Sequence, residues 1–171
     1  MTAPTADSLS GLLRRRATTA PGATQVFRAE QFVPTDPAST FAFFADATNL
    51  GAITPPSLSF RILSPLPIEM REGALIDYEL KLYGAPIRWQ TRIDEWLPGK
   101  AFTDIQLRGP YSQWVHRHEF VACDRGTLVL DHVEYALPLP KLSAPVHSLF
   151  VRPMIERIFA YRRAVIARVL A

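Results

Sequence analysis

Residues 114–120 read Trp-Val-His-Arg-His-Glu-Phe, and the way this stretch alternates decides how its neighbours are read. Side chains on a strand have period two, so Trp114, His116, His118 and Phe120 share one face and Val115, Arg117 and Glu119 the other. The half-polar face belongs to solvent, and the aromatic and imidazole face to the interior. Two histidines therefore point into the protein, which implies a lined cavity and names part of its lining.

Working outward, turns flank the stretch on both sides. Gly109-Pro110 leads into it, and Asp124-Arg125-Gly126 leads out into a strand over Thr127–Leu137 that Pro138 and Pro140 end. If Arg108 pairs with Ser112, Asp104 falls opposite His116 and Phe102 opposite His118. If Cys123 pairs with Gly126, His118 falls opposite Asp131 and Trp114 opposite Tyr135. The expectation is an interior Asp104–His116 contact beside a His118–Asp131 contact. A slip of one residue would turn His132 toward His118 instead. On the near side, pairing Leu97 with Lys100 across Pro98-Gly99 sets Asp104 opposite Ile93 and Gln106 opposite Thr91. That leaves Ile105 and Leu107 facing outward, unless a bulge reverses part of the strand.

Further upstream, Ala74, Ile76, Tyr78, Leu80 and Leu82 alternate with Leu75, Asp77, Glu79 and Lys81. A Gly84-Ala85 turn with Tyr83 opposite Pro86 puts Leu80 against Trp89, Tyr78 against Thr91 and Ile76 against Ile93. The outer face then pairs Asp77 with Arg92 and Glu79 with Gln90, but also Lys81 with Arg88, a like-charge pair. A first strand is expected over residues 24–33. Asp36-Pro37 starts a short helix with Phe41 and Phe44 on one side. A second short helix follows over Ala47–Ile53, capped by Asp46 or Thr48 and stopped by Pro55-Pro56, and then a strand over Leu58–Leu63. The long helix is expected from about 147 to 170, with Val151, Ile155, Ile158, Arg162, Val165 or Ile166, and Val169 along its apolar stripe.

One strand, two short helices, a run of hairpin-connected strands and a long C-terminal helix specify an α+β fold. A curved antiparallel sheet of about seven strands wraps around that helix, with room for a cavity between them. Three stretches resemble the helix-grip fold of the START-like SRPBCC superfamily, which includes polyketide cyclases/dehydrases and coenzyme Q-binding proteins. They are Asn49-Leu50 to Pro55-Pro56; Gly73 with Tyr78 and Gly84 to Trp89; and Phe102-x-Asp104 through Gly109-Pro110-Tyr111 and Trp114-x-His116-x-His118-x-Phe120 to Asp131-x-Val133-x-Tyr135-x-Leu137-Pro138. The resemblance covers residues 24–170 and implies either a carrier for a hydrophobic ligand or a cyclase/dehydrase-type enzyme. It brings no catalytic residue set, because the superfamily shares none.

Composition excludes other classes. The chain of 171 residues is 48% hydrophobic and 11% aromatic, which suits one domain with a core. Residues 24–171 are expected to form that domain, and residues 1–23 a disordered or weakly helical extension. The single Cys123 rules out an intrachain disulfide, and a cytoplasmic location is expected. The net charge of +3 sits at the ends, with the central body mildly acidic and free of any basic stripe, so nucleic acid is not an expected partner. The Arg-rich C-terminal helix could make a weak membrane-surface contact, though packing on the sheet is the plainer reading. Oligomeric state is not legible.

The candidate ligand-pocket residues are Tyr78, Trp89, Asp104, Trp114, His116, His118, Asp131 and Tyr135. Three readings of the histidine–aspartate cluster stay open: a satisfied polar network, a polar anchor for a mostly apolar ligand, or a metal site. The metal reading is the weakest of the three, since each carboxylate has a histidine to pair with, and no metal or cofactor is expected. A small hydrophobic ligand (lipid, quinone or polyketide-like) is the expected partner. The alternative is general acid–base chemistry by the His, Asp and Tyr groups.

Overall fold

The computed structural model describes residues 24–138 and 145–171, so the expectation for residues 1–23 and the stop at Pro140 fall outside it. Strand β1 (Gln25–Val33) leads to helix α1 (Pro37–Ala45) and to two 3-10 turns, Ala47–Leu50 and Pro56–Leu58. Strands β2 (Arg61–Ile62), β3 (Leu75–Leu82), β4 (Ala85–Leu97), β5 (Ala101–Arg108), β6 (Gln113–Cys123) and β7 (Gly126–Ala136) follow. A π-helical turn over His147–Val151 runs into helix α2 (Arg152–Val169). All strand pairs are antiparallel, in the order β1-β7-β6-β5-β4-β3-β2, and α2 lies across the concave face.

The registers around the opening stretch are as expected. Asp104 faces His116, Phe102 faces His118, His118 faces Asp131 and Trp114 faces Tyr135. Strand β5 meets β4 with Asp104 opposite Ile93 and Gln106 opposite Thr91. Register shifts between Gln90 and Thr91 and between Ile93 and Glu95 supply the bulges that let this strand change its pairing.

The β3–β4 hairpin differs from expectation by one step of its turn. Tyr83 and Gly84 both have positive φ, 51° and 84°, so they form the two-residue loop in place of Gly84-Ala85. Positive φ at both central residues is what a primed turn needs to match strand twist. Every partner moves by two residues, so each side chain keeps its face. Tyr78 now sits opposite Trp89, Ile76 opposite Thr91 and Leu80 opposite Ile87. Glu79 meets Arg88, their charged atoms 3.9 Å apart, and Lys81 faces Pro86, which removes the like-charge pair.

Two other elements are shorter than expected. The second helix is only the 3-10 turn Ala47–Leu50, and strand β2 only Arg61–Ile62. Pro56 opens a further 3-10 turn, and Ser59 is left-handed at φ 46°, which breaks the extended run before Arg61.

Helix α1 is capped as expected, Asp36 Oδ1 accepting from the Ser39 N–H at 3.0 Å. Its Phe41 packs edge-on against Trp96, Phe102 and Phe120 and closes one end of the trough. Helix α2 buries Ile155, Phe159, Val165 and Ile166, each worth roughly 1.5–3 kcal/mol of transfer free energy. Phe159 was not on the expected stripe, while Val169 at its end is 55% exposed. The helix is tied to the β1 side by Gln31 donating to the Arg163 carbonyl at 2.9 Å and Thr35 donating to the Leu170 carbonyl at 2.6 Å. No helix among the described residues is long and apolar enough to cross a membrane.

Gly126 marks the tightest approach in the sheet, since a Cβ there would fall on the Val33 carbonyl oxygen and against Pro34. Gly126→Ala should therefore lower stability by about 1–3 kcal/mol, as backbone cannot yield as a side chain does. Urea unfolding tests this: the midpoint should fall with an unchanged slope.

Candidate functional site

Three adjacent strands bring four polar side chains together on the concave face. Asp104 comes from β5, His116 and His118 from β6, and Asp131 from β7. His116 and His118 are each 5% exposed and Asp131 8%. The imidazole rings lie 3.8 Å apart between centroids. Aromatic rings clamp them: His118 stacks on Phe102 at 4.3 Å and leans on Phe44, while His116 meets Trp114 and Phe159 edge-on.

Each carboxylate touches both rings. Asp131 Oδ1 accepts a hydrogen bond from His116 Nε2 at 2.9 Å. It also lies 2.9 Å from His118 Nδ1, but off the hydrogen-bond direction, so that contact is one of charge. On the opposite edges, Asp104 Oδ2 is 3.7 Å from His116 Nδ1 and 3.4 Å from His118 Nε2. The expected Asp104–His116 and His118–Asp131 contacts are both present, and so are the two crossed ones.

The protonation of the cluster follows from these contacts. Burial, helped by the charge of His118, holds the His116 pKa below its ordinary value, against the pull of the two aspartates. Burial also opposes charge on His118, but Asp104 and Asp131 together outweigh it and raise its pKa. For Asp131, burial works upward and is overcome by both histidines, leaving its carboxyl well below the usual range. Around one shared buried carboxylate, the two imidazoles are thus pushed in opposite directions, His116 toward its neutral form and His118 toward its charged form.

Asp104, His116 and His118 open onto a cavity of about 160 Å³ between sheet and helix. That is close to the roughly 150 Å³ of an apolar engineered cavity that accepts benzene. Ile76, Leu80 and Ile93 supply apolar wall from the sheet, Phe44 from α1, Leu58 and Phe60 from the segment before β2, and Met154, Ile155, Ile158 and Phe159 from α2. Tyr78, Trp89, Tyr111 and Trp114 form an aromatic end wall, with Tyr78 stacked on Trp89 at 5.9 Å and Trp114 edge-on to Trp89 at 5.5 Å. Burial raises the pKa of both the Tyr78 and Tyr111 hydroxyls, so they remain protonated donors. Trp89 Nε1 and Arg162 Nε are buried without a partner among the described residues, and both side chains line the cavity.

Of the eight residues singled out in the sequence, six line this cavity: Tyr78, Trp89, Asp104, Trp114, His116 and His118. Asp131 and Tyr135 do not. Asp131 stands behind the histidines, and Tyr135 is 2% exposed with its hydroxyl 2.8 Å from His147 Nε2, tying β7 to the turn before α2. Arg162 was missed as a cavity residue. Its place in an otherwise apolar stripe was the signal, and its guanidinium lies 5.0 Å from the Phe159 ring centre. Asp104, His116 and His118 could hold a metal ion, with candidate ligand atoms all within 4.8 Å of one another.

No protein-family model matches the chain, and no curated protein matches it. Solved structures do. The chain is similar to an aromatase/cyclase, ZhuI from Streptomyces sp. R1128, at a TM-score of 0.69 and 14% identity over 86% of this chain and 94% of that one. It is similar to the protein TTHA0849 from Thermus thermophilus at 0.66 and 18%, over 86% of this chain and 100% of that one. It is also similar to the major latex-like protein 151 of Panax ginseng at 0.63 and 13%, over 88% and 99%. The chain thus shares the fold of these structures, the helix-grip fold that its sequence resembles.

The buried carboxylate gives a signed pH prediction. A carboxyl whose folded pKa is depressed contributes stability above its unfolded value, 3.8, and loses it as pH falls below that. Asp131→Asn should cost roughly 3–5 kcal/mol at pH 7, the usual penalty for breaking a buried pair. The difference from wild type should shrink steadily below about pH 4 in urea titrations with chelator present.

Proposed function

We propose that this chain binds a small, flat, mostly apolar molecule between its sheet and α2, as a carrier or binding protein. The observation that carries the reading is the cavity itself, with apolar and aromatic walls and a few polar groups gathered on its floor. This is the usual composition of a small-molecule site. The unpartnered Trp89 N–H and Arg162 Nε–H favour a ligand with an oxygen acceptor, because a buried donor left unmet costs about 1–3 kcal/mol. Trp89 and Trp114 present faces and edges on which an aromatic or quinone-like ring would stack.

A second reading is a cyclase/dehydrase-type enzyme, and one observation favours it. The His116 ring donates through Nε2 to Asp131, and burial favours its neutral form, in which Nδ1, on the edge toward Asp104, is unprotonated. A bare imidazole nitrogen and a protonated Tyr78 hydroxyl lining the same cavity supply a base and an acid of the kind ketone chemistry uses. The fold of ZhuI, an aromatase/cyclase, is compatible with this reading and does not by itself select it.

Native mass spectrometry of the purified full chain tests the binding reading, with 2-naphthol quenching of tryptophan fluorescence as a second readout. Wild type should retain a co-purifying small molecule or bind 2-naphthol saturably. Met154→Trp, which fills the cavity from α2, should weaken that binding at least tenfold with little change in the urea midpoint. Equal binding by the two proteins would contradict the assignment of the cavity.

A further inference from the structure

We propose that Asp104, His116 and His118 form a three-ligand site for a divalent transition-metal ion, with its remaining coordination position facing the cavity. The inference shares the cavity with the reading above but rests on the geometry of the cluster, not on an organic ligand being bound.

The two spacings from Asp104 are close to what a metal needs. Metal–ligand bonds of about 2.0–2.1 Å at tetrahedral angles place neighbouring ligand atoms roughly 3.3–3.4 Å apart. Asp104 Oδ2 lies 3.4 Å from His118 Nε2 and 3.7 Å from His116 Nδ1, and the three ligand atoms lie within 4.8 Å of one another, so binding an ion draws the two imidazoles together. Two imidazoles and one carboxylate are a donor set suited to zinc, and to ferrous iron where positions stay open.

Asp131 is the second and independent observation. It accepts a hydrogen bond from His116 Nε2 and lies 2.9 Å from His118 Nδ1 by charge contact, on the ring edges that point away from Asp104. Histidines that bind metal nearly always direct their other nitrogen to such a carboxylate or carbonyl, which sets ring orientation and strengthens the ligand. The hydrogen bond from His116 Nε2 leaves Nδ1 as its free lone pair, the atom nearest Asp104. The sequence made both aspartates look like competitors of a metal for the histidines. In the structure one of them stands behind the rings, and only the other shares the cavity side with them.

Placement agrees with this. All three ligands come from neighbouring strands β5 and β6, which hold them more rigidly than loops would. The site is set among aromatic and aliphatic side chains, with Asp104 and Asp131 on opposite edges of the two rings. The open position then offers a Lewis-acid contact to an oxygen of a bound molecule such as a ketone, phenolate or carboxylate.

The test uses the full-length chain, stripped with chelator and titrated with Zn²⁺ by calorimetry and with Co²⁺ by visible absorption. One ion per chain is expected, with the d–d bands of a four- or five-coordinate Co²⁺ site. Asp104→Asn, His116→Gln and His118→Gln should each weaken binding by at least about 100-fold, and Asp131→Asn, a positioning change, by about 10–100-fold. His132→Gln, on the other face beside Glu134, should leave it unchanged. If a ligand variant fails to fold, wild type still decides the matter. Substoichiometric Co²⁺ should broaden the ring resonances of His116 and His118 and spare those of His132. Absence of saturable binding, or binding that survives Asp104→Asn and His116→Gln in folded protein, would overturn the proposal and leave an ion-paired network. Binding of 2-naphthol by chelator-treated protein would show the cavity reading standing without the metal, and its loss with metal binding intact would show the reverse.

Discussion

A carboxylate buried between two imidazoles is the constraint on which this structure turns. Neither Asp131 nor the histidines could sit on the concave face alone, since an isolated buried charge costs far more than any single packing contact returns. Together they are tolerated. Phe44 and Phe102 hold one ring and Trp114 and Phe159 the other, so the polar cluster is fixed within an aromatic frame. It sits where two apolar clusters meet. One gathers Phe41, Phe44, Phe102 and Phe120 under α1, and the other gathers Trp89, Tyr111, Tyr135 and Phe159 under α2. The cavity opens at that seam.

The same constraint explains why the sheet must be in register through β5, β6 and β7. A slip of one residue would turn both histidines outward and bring Arg117 inward. Arg117 is instead held on the convex side by Glu95 and Glu119 and reaches the Thr103 hydroxyl. Each face therefore reinforces the register the other needs. The β3–β4 hairpin has only lighter polar contacts across it, Gln90 donating to Asp77 and Arg88 near Glu79, and there the turn sets the pairing.

This difference accounts for what the sequence disclosed. Around His116 and His118, the Gly109-Pro110 and Asp124-Arg125-Gly126 turns have clear boundaries, and carrying the pairing from them located both aspartates correctly. At Tyr83-Gly84 the loop begins one residue early, because a tyrosine at positive φ carries no local signal for a turn. The opposed Lys81 and Arg88 were the one hint that the pairing was displaced. Strand parity survived that error, so Tyr78 and Trp89 still face the cavity. Depth was less legible than face: Asp131 and Tyr135 are on the inward side, yet one lies behind the histidines and the other engages His147. Alternation along a strand tells which way a side chain points and nothing about how far the cavity reaches. Arg162 shows the limit from the helix, where an arginine in an apolar stripe reads as a snorkelling surface residue until the cavity beneath it is known.

The fold is shared with proteins of different chemistry, so the function of this chain depends on what meets the cavity-side edges of His116 and His118. Nitrogen-15 spectra of the histidine rings, recorded while 2-naphthol is titrated into the full chain, test this most directly. The chain has four histidines, and the other two act as internal controls. His132 pairs with Glu134, and His147 with Tyr135 away from the cavity. The account predicts saturable shifts of His116 and His118 with His132 and His147 unmoved. Shifts confined to His132 or His147, or no shift at any of the four under saturating ligand, would contradict it.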